Sequence, residues 1–444
     1  MHLPTLMNKK VEIIGGGLAG CEVALTLASE GVPCQLFEMR PQKSTPAHKT
    51  ALLSELICSN SFKSDTPETS KGLLKEELRL LNSFIINAAD YSKIPAGASL
   101  AVNRETFSSR ITNMVEENPS IEIVRKEKDT VSDNTQTVIA AGPLASESIC
   151  DSIRKITGAD SLFFFDAISP IIDDDSIDKT KVFSASRYNK GPADFLNCPM
   201  TKEQFELFFL NLKNADRVTP KDFEPKHLFD GCMPIEEMAD RGPKTMLFGP
   251  LKPVGLLNPE TGERYEAVVQ LRRENHEGSA WNMIGFQTRL KYQEQKRVFR
   301  LIPGLEKADF FQFGAMHRNT YLNSPEALMP DLSFKNNSNI FCAGQLSGAE
   351  GYAEAAATGK YCAFRILERL GKTVPEIPET TMTGSLIKSL TAPPPEMKNG
   401  FRPVNANFGI IPPLQVKERN KKLKKKMISK RALSSLKNSL SRLY

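Results

Sequence analysis

This 444-residue sequence predicts a doubly wound α/β fold with a second α/β unit inserted into it. Three observations carry that reading. A strand, a glycine turn, a helix and a second strand follow one another between residues 11 and 38; two later apolar strands each end in glycine; and the long stretch between those two strands has a different character.

The first unit opens with the apolar strand Val11-Glu12-Ile13-Ile14, and Gly15-Gly16-Gly17-Leu18-Ala19-Gly20 then fits G-x-G-x-x-G. A helix with Val23, Ala24, Leu27 and Ala28 on its apolar side runs to Gly31, and Cys34 to Phe37 form the next strand. Each glycine has a mechanical reason: Gly15 turns the chain tightly, Gly17 lets the backbone approach a pyrophosphate, and Gly20 permits close helix-to-strand packing. The free amides and dipole at the start of the helix favour phosphate. Glu38 stands 18 residues past Gly20, near the spacing of a carboxylate that accepts hydrogen bonds from ribose hydroxyls. This is a Rossmann-like dinucleotide site made by Gly15, Gly16, Gly17, Leu18, Ala19, Gly20 and Glu38.

Thr137-Val138-Ile139-Ala140-Ala141 ends at Gly142-Pro143, and Asn339-Ile340-Phe341-Cys342-Ala343 ends at Gly344-Gln345. Both read as parallel strands delivering loops to the carboxyl edge of the same sheet. The second continues through Gly348, Glu350, Gly351 and Tyr352 into an alanine-rich helix that ends near Arg369. A glycine-rich approach to a helix start suits the electron-rich pyrimidine edge of a reduced flavin. That makes FAD the expected cofactor and adds Gly142, Gly344, Gln345, Glu350, Gly351 and Tyr352 to the residues that hold it.

The division expected is 1–188 and 311–415 for the two parts of the cofactor domain, 189–310 for an inserted α/β domain, and 416–444 for a basic tail. The insertion has helical patterns, Gly-Pro and Pro-Val turns and the arginine-rich Leu271-Arg272-Arg273-Glu274. The acidic run from Asp173 to Asp178 reads as a solvent loop, and no metal is expected, since it lacks histidine partners and a calcium-loop pattern.

Hydrophobic content of 40% and charged content of 25% are ordinary for a globular protein. No long uncharged apolar run and no signal peptide is visible, so a cytoplasmic protein without a membrane span is expected. The net charge of +6 is uneven: Lys417 to Arg442 hold eleven basic residues against Glu418, a tail of +10 that leaves −4 for the rest. Such a tail fits a nucleic-acid partner and equally a solvated, partly helical terminus.

Eight cysteines without a C-x-x-C pair suggest reduced thiols rather than a disulfide scaffold or zinc site. Cys21, Cys34, Cys150, Cys342 and Cys362 lie in apolar patterns and read as packing residues. Cys198, in Asn197-Cys198-Pro199, reads as a loop residue without an assigned role. Cys58 and Cys232 stand at polar turns, where nearby bases or helix ends can activate a thiol as a nucleophile, although loop cysteines without a role are common.

Taken together, Gly15 through Glu22, Phe37-Glu38-Met39-Arg40-Pro41, Leu56-Ile57-Cys58-Ser59-Asn60-Ser61, Gly231-Cys232-Met233-Pro234-Ile235-Glu236, Gly344 through Tyr352 and Pro403-Val404-Asn405-Ala406-Asn407-Phe408-Gly409 resemble the TrmFO family of folate- and FAD-dependent tRNA (uracil-5-)-methyltransferases. The more distant GidA flavoproteins, which modify the tRNA wobble uridine, share the cofactor unit and an insertion but lack this cysteine pair. The resemblance implies a GidA/TrmFO-type fold with the insertion facing RNA, and methylation of uridine C5 in RNA to 5-methyluridine. In the implied chemistry Cys232 adds to uracil C6, so that C5 becomes a nucleophile. 5,10-Methylenetetrahydrofolate gives its methylene to the reduced flavin, which delivers carbon and reducing equivalents, and NAD(P)H restores the flavin. Cys58 protects or releases the flavin adduct or takes the C5 proton, and His317 stacks on the pterin.

The resemblance further implies tRNA as partner, with the T-loop uridine first choice, and no stable protein partner. The tail departs from the family pattern as read here, in which chains end soon after the Asn-Phe-Gly region. Its extra phosphate contacts would carry little sequence information and keep a ribosomal RNA uridine as an alternative target. GidA-like wobble modification, a small-molecule flavin oxidoreductase and a non-catalytic flavin-containing RNA-binding protein are the other readings.

Overall fold

A computed structural model describes residues 10–443 apart from 46, 159–161, 168, 219–232, 276, 393–400 and 417. Its main sheet has six strands in the order Ser333–Phe334, Asn337–Cys342, Thr137–Ile139, Val11–Ile14, Cys34–Phe37 and Ile121–Val124. All neighbours pair in parallel except the edge strand Ser333–Phe334. Ile13 stands opposite Leu36 and Val138, and Val138 opposite Phe341. All four are fully buried, as expected of a parallel sheet covered on both faces. Because the strands are parallel, the loops after Ile14, Phe37, Ile139 and Cys342 all emerge at one edge, where the glycine motifs begin.

The helix Leu18–Ser29 is buried from Ala19 to Ala28 because it lies between the sheet and the helix Tyr352–Arg369. Two glycines set that separation. A Cβ at Gly20 would stand 1.9 Å from the Gly15 carbonyl oxygen, and one at Gly359 would stand 2.6 Å from that of Ala19.

Between Cys34–Phe37 and Ile121–Val124 the chain builds a three-stranded sheet, Ser61–Ser64, Ser99–Val102 and Lys93–Ile94, with the helices Ser70–Leu80, Phe84–Tyr91 and Arg104–Glu116. Thr69, Ser83 and Asn103 cap those helices by accepting hydrogen bonds from the amides of Gly72, Ile86 and Thr106. Fully buried Glu77 accepts hydrogen bonds from the Met382 and Thr383 amides (2.7 and 2.8 Å) and the Thr383 hydroxyl (2.8 Å), fastening the start of the helix Met382–Thr391. Glu77→Ala would strand these donors in the core. We expect a loss of about 3 kcal/mol, read as a lower denaturant midpoint.

The inserted sheet is antiparallel, ordered Phe183–Ser184, Phe195–Met200, Ala267–Arg273, Ala280–Met283, Ile171–Asp173 and Phe310–Gln312. Two of its strands precede residue 189, and one of them uses Asp173 from the acidic run. Cys198 is buried inside Phe195–Met200 rather than in a loop. Phe205, Phe208, Leu212, Phe286 and Phe299 form a core of their own on this sheet. The chain enters and leaves side by side, through the antiparallel pair Leu162–Ala167 and Met316–Tyr321.

The C-terminal segment forms the helix Lys421–Leu440, whose Ile428, Ala432 and Leu436 join the core of the first unit. Among the described residues, no helix is long and apolar enough to cross a membrane, and no group of three or more His, Cys, Asp or Glu could hold a metal ion.

Candidate active site

The carboxyl edge of the main sheet opens into one cleft. Gly15, Gly16, Gly17, Leu18, Ala19, Glu38, Gly142, Gly344, Gln345, Gly351 and Tyr352 all line it. The first turn needs its glycines for different reasons. Gly15 has φ of +109°, and a Cβ there would stand 2.5 Å from the Ala140 carbonyl oxygen. At Gly17 a Cβ would meet nothing within 4 Å, so the backbone lies bare toward the cleft. No side chain caps the helix that starts at Leu18. Gly20 packs behind the cleft, against Gly15.

Glu38 closes the turn. Its carboxylate accepts from the Gly16 amide (3.0 Å), the Arg40 amide (3.0 Å), and Arg40 Nε and Nη2 (3.0 and 3.2 Å). Burial alone would raise its pKa, but the Arg40 hydrogen bonds and charge and the Gly16 amide outweigh it and hold the carboxyl below its ordinary range. Arg40 is itself buried and also reaches Glu55 at 3.0 Å.

On the opposite side, Gly344, Gly348 and Gly351 have φ of +79°, +80° and +125° around the short helix Gln345–Ser347. The Gly344 amide donates to Thr358 Oγ1 at 2.8 Å, while the Gln345 side-chain amide donates to the Glu350 carboxylate. Tyr352 begins the next helix, and its phenol oxygen accepts hydrogen bonds from the amides of Cys58 (3.1 Å) and Ser59 (3.0 Å). Burial and then the nearby Cys58 push the Tyr352 pKa up.

The Cys58 loop is fixed from the insertion as well. Arg272 Nε donates to Asn60 Oδ1 at 2.9 Å, and Asn60 Nδ2 donates to the Arg273 carbonyl at 2.9 Å. Arg104 donates to Glu274 at 2.8 Å and to the Leu56 carbonyl. Behind the loop, Lys75 Nζ donates to the carbonyls of Phe62 (2.9 Å), Ser64 (2.6 Å) and Lys71 (3.0 Å), and burial pushes its pKa down to about 8. The partly exposed Cys58 is thus held between two domains.

Cys232 lies outside the described residues. The residues that follow it are anchored in the insertion: the Ile235 amide donates to the Gln287 carbonyl (2.8 Å), and buried Glu236 accepts from Thr288 Oγ1 and the Arg289 amide, both at 2.8 Å. His317 stands opposite Asp166 in the strand pair that joins the domains.

Residues 10–373 match the family model described as GIDA, glucose inhibited division protein A. The chain is also 48% identical over 434 residues to the methylenetetrahydrofolate–tRNA-(uracil-5-)-methyltransferase TrmFO of Natranaerobius thermophilus, covering 98% of this chain and 99% of that one. The chain belongs to the TrmFO family. The TrmFO protein of Bacillus subtilis is 47% identical over 432 residues, covering 97% of this chain and 98% of the relative. Among solved structures, Aquifex aeolicus GidA in its form II crystal has a TM-score of 0.65 at 18% identity, covering 87% of this chain and 68% of that one, and shares the fold.

The TrmFO alignments correct one expectation. A match covering 98% of this chain and 99% of the relative has no room to omit the 28 residues from Lys417 to Tyr444. The length of the terminus is therefore not a departure from TrmFO proteins. Sequence reasoning also passed over Arg40, Glu55 and the Asn60–Arg104–Arg272–Glu274 cluster. The signals for Arg40 and for Arg272 and Glu274 were the Phe-Glu-Met-Arg-Pro stretch and the arginine pair at 272–273.

Proposed function

We propose that the chain methylates C5 of the T-loop uridine of tRNA to give 5-methyluridine, using 5,10-methylenetetrahydrofolate as carbon donor and NAD(P)H as reductant, with FAD in the cleft. The supporting observation is that both glycine turns and Tyr352 line one cleft, and that the Tyr352 phenol oxygen holds the Cys58 amide, in a chain of this family.

Bound there, FAD supplies the two-electron chemistry that carries the one-carbon unit and reduces it to the methyl level. Gly17 lets the pyrophosphate reach the Leu18 and Ala19 amides. Glu38 serves the ribose, although protein donors already fill the roughly four acceptor directions of a carboxylate. The longest of these contacts, that of Arg40 Nη2 at 3.2 Å, is the one a ribose hydroxyl would most readily replace. The Gly344–Gln345 turn and the helix start at Gly351–Tyr352, which line the cleft, would hold the pyrimidine edge.

Cys232 adds as thiolate to uracil C6, pushing the ring electrons onto C5. After C5 has gained its carbon, loss of the C5 proton restores the double bond and expels the thiolate. Cys58 acts as the base for that proton or on the flavin side of the reaction, and His317 stacks on the pterin.

The reading is tested by incubating FAD-loaded protein with an unmodified tRNA transcript, methylenetetrahydrofolate and NADPH, then mapping modified nucleotides by mass spectrometry. We expect 5-methyluridine in the T-loop. An active control enzyme that modifies the same transcript, beside no product here, would overturn the assignment.

A further inference from the structure

We propose that the lysine-covered face of the C-terminal helix is a docking surface for the phosphate backbone of the substrate RNA, an inference that rests on the RNA reading above. The helix Lys421–Leu440 carries seven lysines and Arg431 and no acidic residue; Glu418 is the last acid in the chain. All seven lysines are exposed, and among the described residues none forms an ion pair.

The helix is not loose. Ile428, Ala432 and Leu436 are buried in the main core, Ser439 Oγ donates to the Glu376 carbonyl at 2.6 Å, and Arg431 Nη1 donates to that of Pro413 at 2.8 Å. Residues 421–426, about 9 Å of helix at the usual rise, are exposed throughout, and Lys425 is the one lysine of this part placed over a ring of the body, that of Phe408 at 6.0 Å.

That exposed stretch is adverse by itself. Lys421 and Lys425, and Lys422 and Lys426, are like charges four residues apart, and they sit where the helix dipole already disfavours cations. Asn420 holds the helix together there, its side-chain oxygen accepting from the amides of Lys422 (3.0 Å) and Leu423 (3.1 Å). A polyanion relieves the repulsion.

Charge and burial select RNA over a lipid surface. An amphipathic helix binds membrane by inserting its apolar face, and here the Ile428–Ala432–Leu436 face is already used in the core. The rest of the chain carries −4, so positive charge is concentrated on this terminus. The contacts are with phosphates and set affinity and orientation rather than sequence choice.

The test replaces Lys421, Lys422, Lys424 and Lys425 together by glutamine in the full-length, FAD-loaded protein and measures tRNA affinity across about 50–200 mM salt. We expect affinity to fall at least about tenfold and the log–log salt slope to shrink by about three, the effect of losing three or four phosphate contacts. KM for tRNA should rise with kcat unchanged. Substitution of the same four lysines by arginine should restore binding. Equal affinity and slope in the wild-type and glutamine proteins would overturn the surface, as would loss of binding to anionic vesicles with tRNA affinity intact. A wild-type protein that binds tRNA through these lysines but forms no 5-methyluridine would instead overturn the activity reading and leave the surface standing.

Discussion

We expect a Cys232→Ser protein to stay yellow and to lose methylation by on the order of 10⁴-fold or more. Uracil C5 is a poor nucleophile until something adds at C6, and the reacting species must be an anion. A thiol is a few per cent ionised near neutral pH, whereas a serine hydroxyl without a dedicated base is not. The exchange is nearly isosteric, so it should leave the insertion intact. Met233 and Ile235 are buried beyond the site, and Glu236 remains tied to Thr288 and Arg289. On the proposed function, flavin retention depends on a different part of the molecule, the cleft of the main sheet. The two readouts therefore separate, with unchanged flavin absorbance and no product in the methylation assay. A colourless variant would make Cys232 structural, and wild-type turnover would remove it from the reaction.

The main sheet was legible because its signals are local. Four short apolar strands, each followed by glycine or by Glu38, announce a parallel sheet without reference to distant residues, and the observed pairing of Val11–Ile14 between Cys34–Phe37 and Thr137–Ile139 follows that pattern. The insertion was harder. Ile171–Asp173 and Phe183–Ser184 are too short to show alternation, and the place of Ile171–Asp173 is set by Ala280–Met283, about a hundred residues away. Pro199 after Cys198 suggests a loop, since proline cannot donate to a ladder. The neighbouring strand Phe183–Ser184 reaches only Leu196 and Asn197, so on that side Pro199 stands at a free edge where the amide it lacks is not needed. At the terminus a partly helical segment is among the readings, but its packing against the core is not. Its lysines hid the stripe Ile428, Ala432 and Leu436, four residues apart, which is the pattern of a packed helix. At the site, the glycines announced themselves, but the Arg272–Asn60 and Arg104–Glu274 contacts join residues 212 and 170 positions apart, and no local pattern encodes such a pairing.

Gly17→Ala and Gly20→Ala should fail in opposite ways, although the two positions belong to one motif. At Gly17 φ is −82°, which any residue adopts, and an added Cβ meets no protein atom within 4 Å. The protein stripped of flavin should keep nearly all of its melting temperature, since Gly17 is the helix N-cap, where alanine is less favourable than glycine by only about 1 kcal/mol or less. FAD affinity should nevertheless fall at least about tenfold, or 1.4 kcal/mol, because the methyl group occupies the side from which a pyrophosphate approaches. At Gly20 an added Cβ would stand 1.9 Å from the Gly15 carbonyl oxygen and must push the helix off the strand. The same helix packs on Tyr352–Arg369, where Gly359 already sits against Ala19, so it has little room to yield. We expect a destabilisation of at least about 3 kcal/mol in the flavin-free protein, with flavin lost as a consequence. Flavin titration and thermal unfolding of both variants, each in the flavin-free form, distinguish the roles. A Gly17→Ala protein with wild-type FAD affinity would show that the cofactor does not approach this turn, and the cleft would need another occupant.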